Sequence, residues 1–312
     1  MSRYNYLHQE IWGSSMYLFV INETSGNGSG GRIWKMIRSM LHDRKINYEH
    51  IVTRSREQAH TMLKQRLAAS SRWRAVGVVG GDGTIHGLLP LLRGSGIPLA
   101  VIPAGSGNDT ARGLGIPGKP LEALRVMLEG QAADVDLIAI PGRVAITALA
   151  IGFDAKVADN VNRSWYKKLC NKLGVGRVSY LIGIIHTLLT YRPSPLTIEC
   201  DGITEHYSSA WLTAISNVPS YGGGLEICPE ANPADGLLDI CIVHNCSRLK
   251  LLFLFPTVLF GRHISLAYVK MLRGRSITVH SSQPRIVLGD GEPVGITPIT
   301  AAVEQDMLQI MQ

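Results

Sequence analysis

The order of apolar and polar positions divides this chain into two stretches of different character. In the first, short β-prone runs at Met16–Ile21, Tyr48–Thr53, residues 75–79 and Pro98–Ile102 are separated by segments with helical spacing. The run Ala75-Val76-Gly77-Val78-Val79 shows no alternation, which is the pattern of a strand buried on both faces. Ile33–Leu41, Glu57–Ala69 and Ile85–Leu92 place apolar residues on one helical face, and the second of these carries Lys64 and Arg66 on its charged side. Strand and helix alternate four times up to about residue 130, so this stretch predicts a parallel sheet covered by helices.

From Asp134 onward the pattern is strand-rich. Runs at Val135–Ile140, Val144–Ile151, Leu196–Cys200, Tyr207–Ser216, Leu238–Val243, Ser276–His280 and Arg285–Leu288 are joined in part by turns such as Pro141-Gly142 and Asp201-Gly202. These predict a second, antiparallel domain of sandwich type, interrupted by helices over 163–190 and 247–261. There is no internal repeat and no low-complexity tract. The fold class is α/β plus β.

Composition narrows the partners. With 46% hydrophobic and 18% charged residues over 312 positions, the chain can bury a sizeable core. A net charge of +7 and a pI near 9.2 favour anionic partners: phosphorylated ligands, acidic membrane surfaces or nucleic acid. No nucleic-acid motif accompanies the charge, so nucleic acid is set aside. Cys170, Cys200, Cys228, Cys241 and Cys246 form no C-x-x-C pair, which fits a reducing cytoplasm and argues against a zinc site or a disulfide framework. The polar amino terminus has no signal-peptide pattern. The apolar run Leu249–Gly261 is broken by Pro256 and falls short of the roughly 20 residues of a spanning helix, so the protein is expected to be cytoplasmic or at most peripheral to a membrane.

The chemistry gathers at two strand ends. Gly80-Gly81-Asp82-Gly83-Thr84 follows the run at 75–79, and Gly105-Ser106-Gly107-Asn108-Asp109 follows the run at 98–102. Glycines there let backbone N–H groups come close to a phosphate, and one aspartate on each turn suits a divalent cation. Read alone, either could be an ordinary βα turn. A third glycine-rich loop, Gly26-x-Gly28-x-x-Gly31, formally matches a dinucleotide fingerprint, with Glu49 about where a ribose-binding acid would stand. Five residues separate that loop from its strand, which makes the match weak. No Gly-x-x-x-x-Gly-Lys-Ser/Thr is present, which excludes a P-loop kinase, and the protein-kinase motifs are missing too.

The two glycine-aspartate turns, Ala150-Ile151-Gly152-Phe153-Asp154-Ala155, the stretch from Gly222-Gly223-Gly224-Leu225 to Asp235-Gly236-Leu237-Leu238-Asp239, and Gly289-Asp290-Gly291-Glu292 stand in one order. In that order they resemble the diacylglycerol kinase catalytic-domain family of lipid kinases, distant relatives of NAD kinases and phosphofructokinases. The resemblance covers nearly the whole chain. It implies an NAD kinase-like amino-terminal domain at 1–135, rejoined by the tail 297–312, a β-rich lipid-substrate domain at 136–296, and an active site in the cleft between them. It implies ATP and Mg2+ as cofactors and transfer of a phosphoryl group to a lipid hydroxyl, most simply diacylglycerol to phosphatidic acid.

Carried over residue by residue, the nucleotide contacts are Asn22, Ser25, Gly26, Thr53, Gly80, Gly81, Asp82, Gly83, Thr84, Gly105, Ser106 and Asn108. The family's proline is replaced by Glu23, a lysine of some members is replaced by Asn27, and Arg32, which could substitute, reads more simply as a solvated helix residue. Asp82 and Asp109 are the implied Mg2+ carboxylates of the reaction, and Asp290 or Glu292 the base facing the lipid hydroxyl. A structural Mg2+ remote from the chemistry is implied at Asp235 with main-chain oxygens near Asn232 and Leu237, where an Asp-Gly turn alone would account for the residues.

Rival readings are a kinase for sphingosine, ceramide or a glycolipid, an NAD kinase, and a nucleotide-binding regulator without catalysis. A lipid acceptor calls for contact with an anionic membrane surface, and the sequence leaves room for a homodimer. Two stretches suit the membrane. Arg163, Trp165, Tyr166, Lys167, Lys168, Lys172 and Arg177 interleave aromatics with cations, and Leu249–Phe260 is apolar between Arg248, Lys250 and Arg262. The second reads equally as a core helix.

Overall fold

In a computed structural model of the chain, the structure describes residues 16–69, 73–164 and 176–312. The chain divides into two units, one made of Met1–Val135 with Asp306–Gln312, the other of Asp136–Gln305.

The first unit is a parallel α/β layer. Its strands are β1 (Met16–Asn22), β2 (Tyr48–Thr53), β3 (Trp73–Gly80) and β4 (Leu99–Pro103), paired side by side in the order β2-β1-β3-β4. The end of the last strand of the chain, β15 (Ile299–Met311), lies parallel to β4 with Ile310 opposite Leu99. Leu18, Phe19, Val20, Val78, Val79 and Ile102 are fully buried, because helices cover both faces of a sheet whose strands lack alternation. The helices are α1 (Ser25–Asp43), α2 (Arg56–Ala69), α3 (Asp82–Leu92), the short α4 (Asp109–Gly113) and α5 (Pro120–Glu129). On α1 the buried Trp34, Ile37 and Leu41 fall at helical spacing, and Pro120 opens α5 where its missing N–H costs nothing.

The second unit is antiparallel. β5 (Ala132–Ile140) leads into it and forms a hairpin with β6 (Arg143–Ala145). β7 (Ala148–Gly152), β8 (Ser194–Cys200), β9 (Ile203–Ser216), β10 (Leu238–His244), β11 (Val269–Gly274), β12 (Ser276–Ser281), β13 (Ile286–Gly289) and β14 (Glu292–Ile296) complete it. The long β9 pairs with β7, β8 and β10, and β12 joins β8 to the first half of β15. One core lies among the strands around Ile198, Ile215, Ile240 and Ile277. A second lies where the sheet meets helices α6 (Phe153–Arg163), α7 (Gly176–Thr190) and α8 (Arg248–Val258), around Phe153, Trp211, Leu251 and Leu254. Ser247 caps α8 by accepting from the Lys250 N–H.

Candidate functional site

Three loops of the first unit meet at the carboxyl ends of β1, β3 and β4. After β1, Asn22 donates from Nδ2 to the Thr84 hydroxyl at 2.9 Å, while its Oδ1 accepts from the Thr24 N–H and hydroxyl. One side chain thus ties the first loop to the Gly-Gly-Asp-Gly-Thr turn. Gly26, Asn27 and Gly28 then take left-handed backbone angles before α1 settles into regular helix. A Cβ on Gly26 would lie 2.3 Å from the Ala104 carbonyl oxygen, so that position admits only glycine.

The other two turns touch through glycine. A Cβ on Gly81 would lie 2.9 Å from the Gly105 Cα, and one on Gly105 would lie 2.6 Å from the Gly81 Cα. Side chains there would push the turns apart. Asn108, itself left-handed, closes the second turn by accepting from the Gly105 N–H and donating to the Gly105 carbonyl. The result is a cavity of about 390 Å³ lined by Asn22, Ser25, Gly26, Arg54, Ser55, Arg56, Gly81, Asp82, Gly83, Thr84, Gly105 and Ser106.

Asp82 and Asp109 each open a helix, α3 and α4. Asp82 accepts from the Thr110 N–H through Oδ1 at 2.8 Å, and Asp109 pairs with Arg112 through Oδ1 at 2.6 Å. Their second oxygens both face Gly107, where a Cβ would stand 3.2 Å from Asp82 Oδ2 and 3.5 Å from Asp109 Oδ2. The two oxygens are therefore no further apart than the sum of those distances. Two carboxylates close to a glycine-lined cavity are a donor set that would suit a divalent cation such as Mg2+.

Most of the nucleotide residues expected from the sequence line this one cavity. Gly80 and Asn108 stand behind the lining as packing and turn residues. Thr53 does not line it: it is buried, and its hydroxyl donates to the Ile21 carbonyl of the neighbouring strand. Arg54, Ser55 and Arg56, which follow it, reach the cavity instead. Two arginines directly after a strand end were the signal for them. Arg54 also pairs with Glu23, the residue that replaces the family's proline. Glu49 pairs with Arg66 at 2.5 Å and sits in no ribose site, and Arg32 donates to the Ser29 hydroxyl.

In the second unit, Asp290 and Gly291 form the positive-φ turn between β13 and β14. The Asp290 carboxylate accepts from the Ile146 N–H, the Thr147 N–H at 2.8 Å and the Thr147 hydroxyl at 2.6 Å. Glu292 opens β14 and is half-buried. At the Gly152-Phe153-Asp154 signature, Gly152 has φ of 106° and a Cβ there would lie 2.5 Å from the Trp211 carbonyl oxygen. Asp154 accepts from the Tyr221 hydroxyl at 2.7 Å and from the Ala155 N–H at 2.9 Å. Desolvation of this enclosed carboxyl outweighs both bonds and pushes its pKa up to about 6, while Tyr221 is held well above its ordinary value.

At the implied remote metal site the Asp235 carboxylate is already engaged within the chain. Asp235 accepts from the Leu237 N–H through one oxygen and holds Arg273 with the other, and Asn232 Oδ1 accepts from the Ala234 N–H. Arg273 also pairs with Asp239, so a guanidinium already balances the loop's two acids. Among the described residues no group of three or more His, Cys, Asp or Glu side chains is placed to hold a metal. No described helix is long and apolar enough to cross a membrane. Trp165, Tyr166, Lys167, Lys168 and Lys172 lie outside the described residues, as do the side chains of Arg163 and Arg177.

Comparison with known proteins gives two family matches. Residues 16–140 match the diacylglycerol kinase catalytic domain, and residues 147–312 match the YegS C-terminal NAD kinase beta sandwich-like domain. A diacylglycerol kinase of Mycobacterium tuberculosis is 36% identical over 295 residues, covering 91% of this chain and 92% of that protein. A diacylglycerol kinase of Bacillus subtilis is 28% identical over 237 residues, covering 74% and 75%. The crystal structure of a diacylglycerol kinase from Bacillus anthracis superposes with a TM-score of 0.67 at 19% identity over 96% of each chain, a likeness of fold.

Proposed function

The chain belongs to the diacylglycerol kinase catalytic-domain family and is an ATP-dependent lipid kinase, and from that premise we propose that its acceptor is diacylglycerol and its product phosphatidic acid. The observation that carries the mechanism is the convergence of three glycine loops on one cavity of the first unit, lined by Asp82, with Asp109 turned toward Gly107 beside it.

Phosphoryl transfer asks for positioning and charge neutralisation rather than covalent chemistry. In the proposed mechanism, backbone N–H groups of the turns at 80–84 and 105–108 hold the phosphates of ATP. Arg54 and Arg56 add positive charge at the rim. Asp82 and Asp109 would hold Mg2+, which offsets the charge on the β and γ phosphates. The hairpin acids Asp290 and Glu292 supply the carboxylate that orients the acceptor hydroxyl and takes its proton late, as the oxygen–phosphorus bond forms and ADP departs. The acceptor remains in the bilayer, so the kinase works as a peripheral protein at the cytoplasmic, anionic membrane surface.

The test is transfer of labelled γ-phosphoryl from ATP, with Mg2+, to diacylglycerol, ceramide, sphingosine and a glycolipid in mixed micelles, with NAD as a separate acceptor. Label in phosphatidic acid is the expected result. Label confined to another lipid class or to NAD would overturn the assignment.

A further inference from the structure

A helix that covers a core needs one apolar stripe, whereas α8 and the turn after it are apolar on every side. Leu251, Leu254 and Val258 are buried against the sheet. On the opposite side Leu249, Leu252, Phe253, Leu259 and Phe260 face outward, Phe253 with 70% and Phe260 with 72% of its surface exposed. α7 does the same on a smaller scale, with Ile182, Ile185 and Leu189 exposed at the spacing of one helical face. Arg248 joins the two helices by donating to the carbonyls of Leu188 and Tyr191. Eight of the eleven exposed large apolar side chains among the described residues belong to these two elements. Such a concentration marks an interaction surface, because scattered exposure is what chance leaves.

We propose that this double-helix face is the surface by which the kinase enters the headgroup region of an anionic phospholipid bilayer. The proposal rests on the lipid-kinase reading and names the surface that reading requires. Charge selects the occupant. α7 and α8 carry no Asp or Glu. Lys250 and Arg262, both exposed, border the apolar residues directly. A second copy meeting this face would set cation against cation, whereas an anionic leaflet meets it with opposite charge, at on the order of 1 kcal/mol per cation near the surface. Phenylalanines at headgroup depth with cations beside them are the pattern of an interfacial helix.

The experiment compares wild type with Phe253→Ser/Phe260→Ser, and with Leu249→Ser/Leu252→Ser as an independent pair. Partitioning is measured by sedimentation with phosphatidylcholine–phosphatidylglycerol vesicles and with pure phosphatidylcholine. Each double variant should lose about tenfold or more in partitioning onto the anionic vesicles. Its KM for vesicle-borne acceptor should rise in step, while turnover on a short-chain acceptor dispersed in detergent stays at the wild-type value. Unchanged vesicle partitioning in both variants would overturn the proposal. So would conversion of a wild-type dimer to monomer with vesicle binding retained, which would give the face to a second copy. No labelled lipid from wild type even in micelles would remove the kinase reading, and this proposal with it.

Discussion

Asp154 shows how one carboxyl can set a pH dependence. Its folded pKa of about 6 lies above the ordinary 3.8, so folding favours its protonated form. Its burial therefore costs nothing below the lower value, and the cost grows as pH rises and is complete above about 6. At 1.36 kcal/mol per unit that is about 3 kcal/mol. Asparagine can still accept from Tyr221 or the Ala155 N–H without carrying charge. Between pH 4 and pH 7, denaturant unfolding should move in favour of Asp154→Asn relative to wild type by about that amount. A constant difference across the range would show that the carboxyl is not shifted. Single residues were the least legible part of the sequence. Thr53 reads as a strand-end hydroxyl, and only its neighbours in space show that it donates to the Ile21 carbonyl and lies outside the cavity lining. Asp235 reads equally as a turn residue or, through the family resemblance, as a metal ligand, and nothing local announces Arg273, 38 residues away, beside it.

At the scale of elements, the β13–β14 hairpin separates the two acids that flank Gly291. Asp290 is held by donors on Ile146 and Thr147, whereas Glu292 begins the outgoing strand. Asparagine at 290 can accept only part of those bonds, so Asp290→Asn should lose about 1–3 kcal/mol of stability along with transfer. Glu292→Gln should keep its melting temperature and its ATP affinity while transfer falls by at least about 100-fold. Full turnover in both variants would remove the hairpin from the chemistry. Strands buried on both faces, such as β3 and β4, were plain in the sequence because nothing polar interrupts them. β14 was not, since Pro293, Gly295 and an exposed Ile296 give no alternation. The start of α1 was hidden for a related reason: its first turn is rich in glycine, a poor helix former, and three of its residues are left-handed.

For the whole molecule, the change from alternating strand and helix to strand alone announced two architectures. The chain's last strand, which begins in the second unit and ends with Ile310 buried in the first, follows from no local pattern and was expected through the family resemblance alone. The loops of the glycine-lined cavity were legible because close approach of the turns requires glycine there. The exposed faces of α7 and α8 were not, since an apolar run looks the same whether a core or a bilayer covers it. The central claim is that Asp82 and Asp109 serve phosphoryl transfer from ATP to a lipid hydroxyl. The most direct test is the turnover of labelled γ-phosphoryl into diacylglycerol by wild type, Asp82→Asn and Asp109→Asn, with melting curves of all three. Asparagine keeps an oxygen for the Thr110 N–H at position 82, so the fold should survive. The account predicts at least about a 100-fold loss of turnover in each variant with melting temperature preserved. Near wild-type turnover in either folded variant would contradict it.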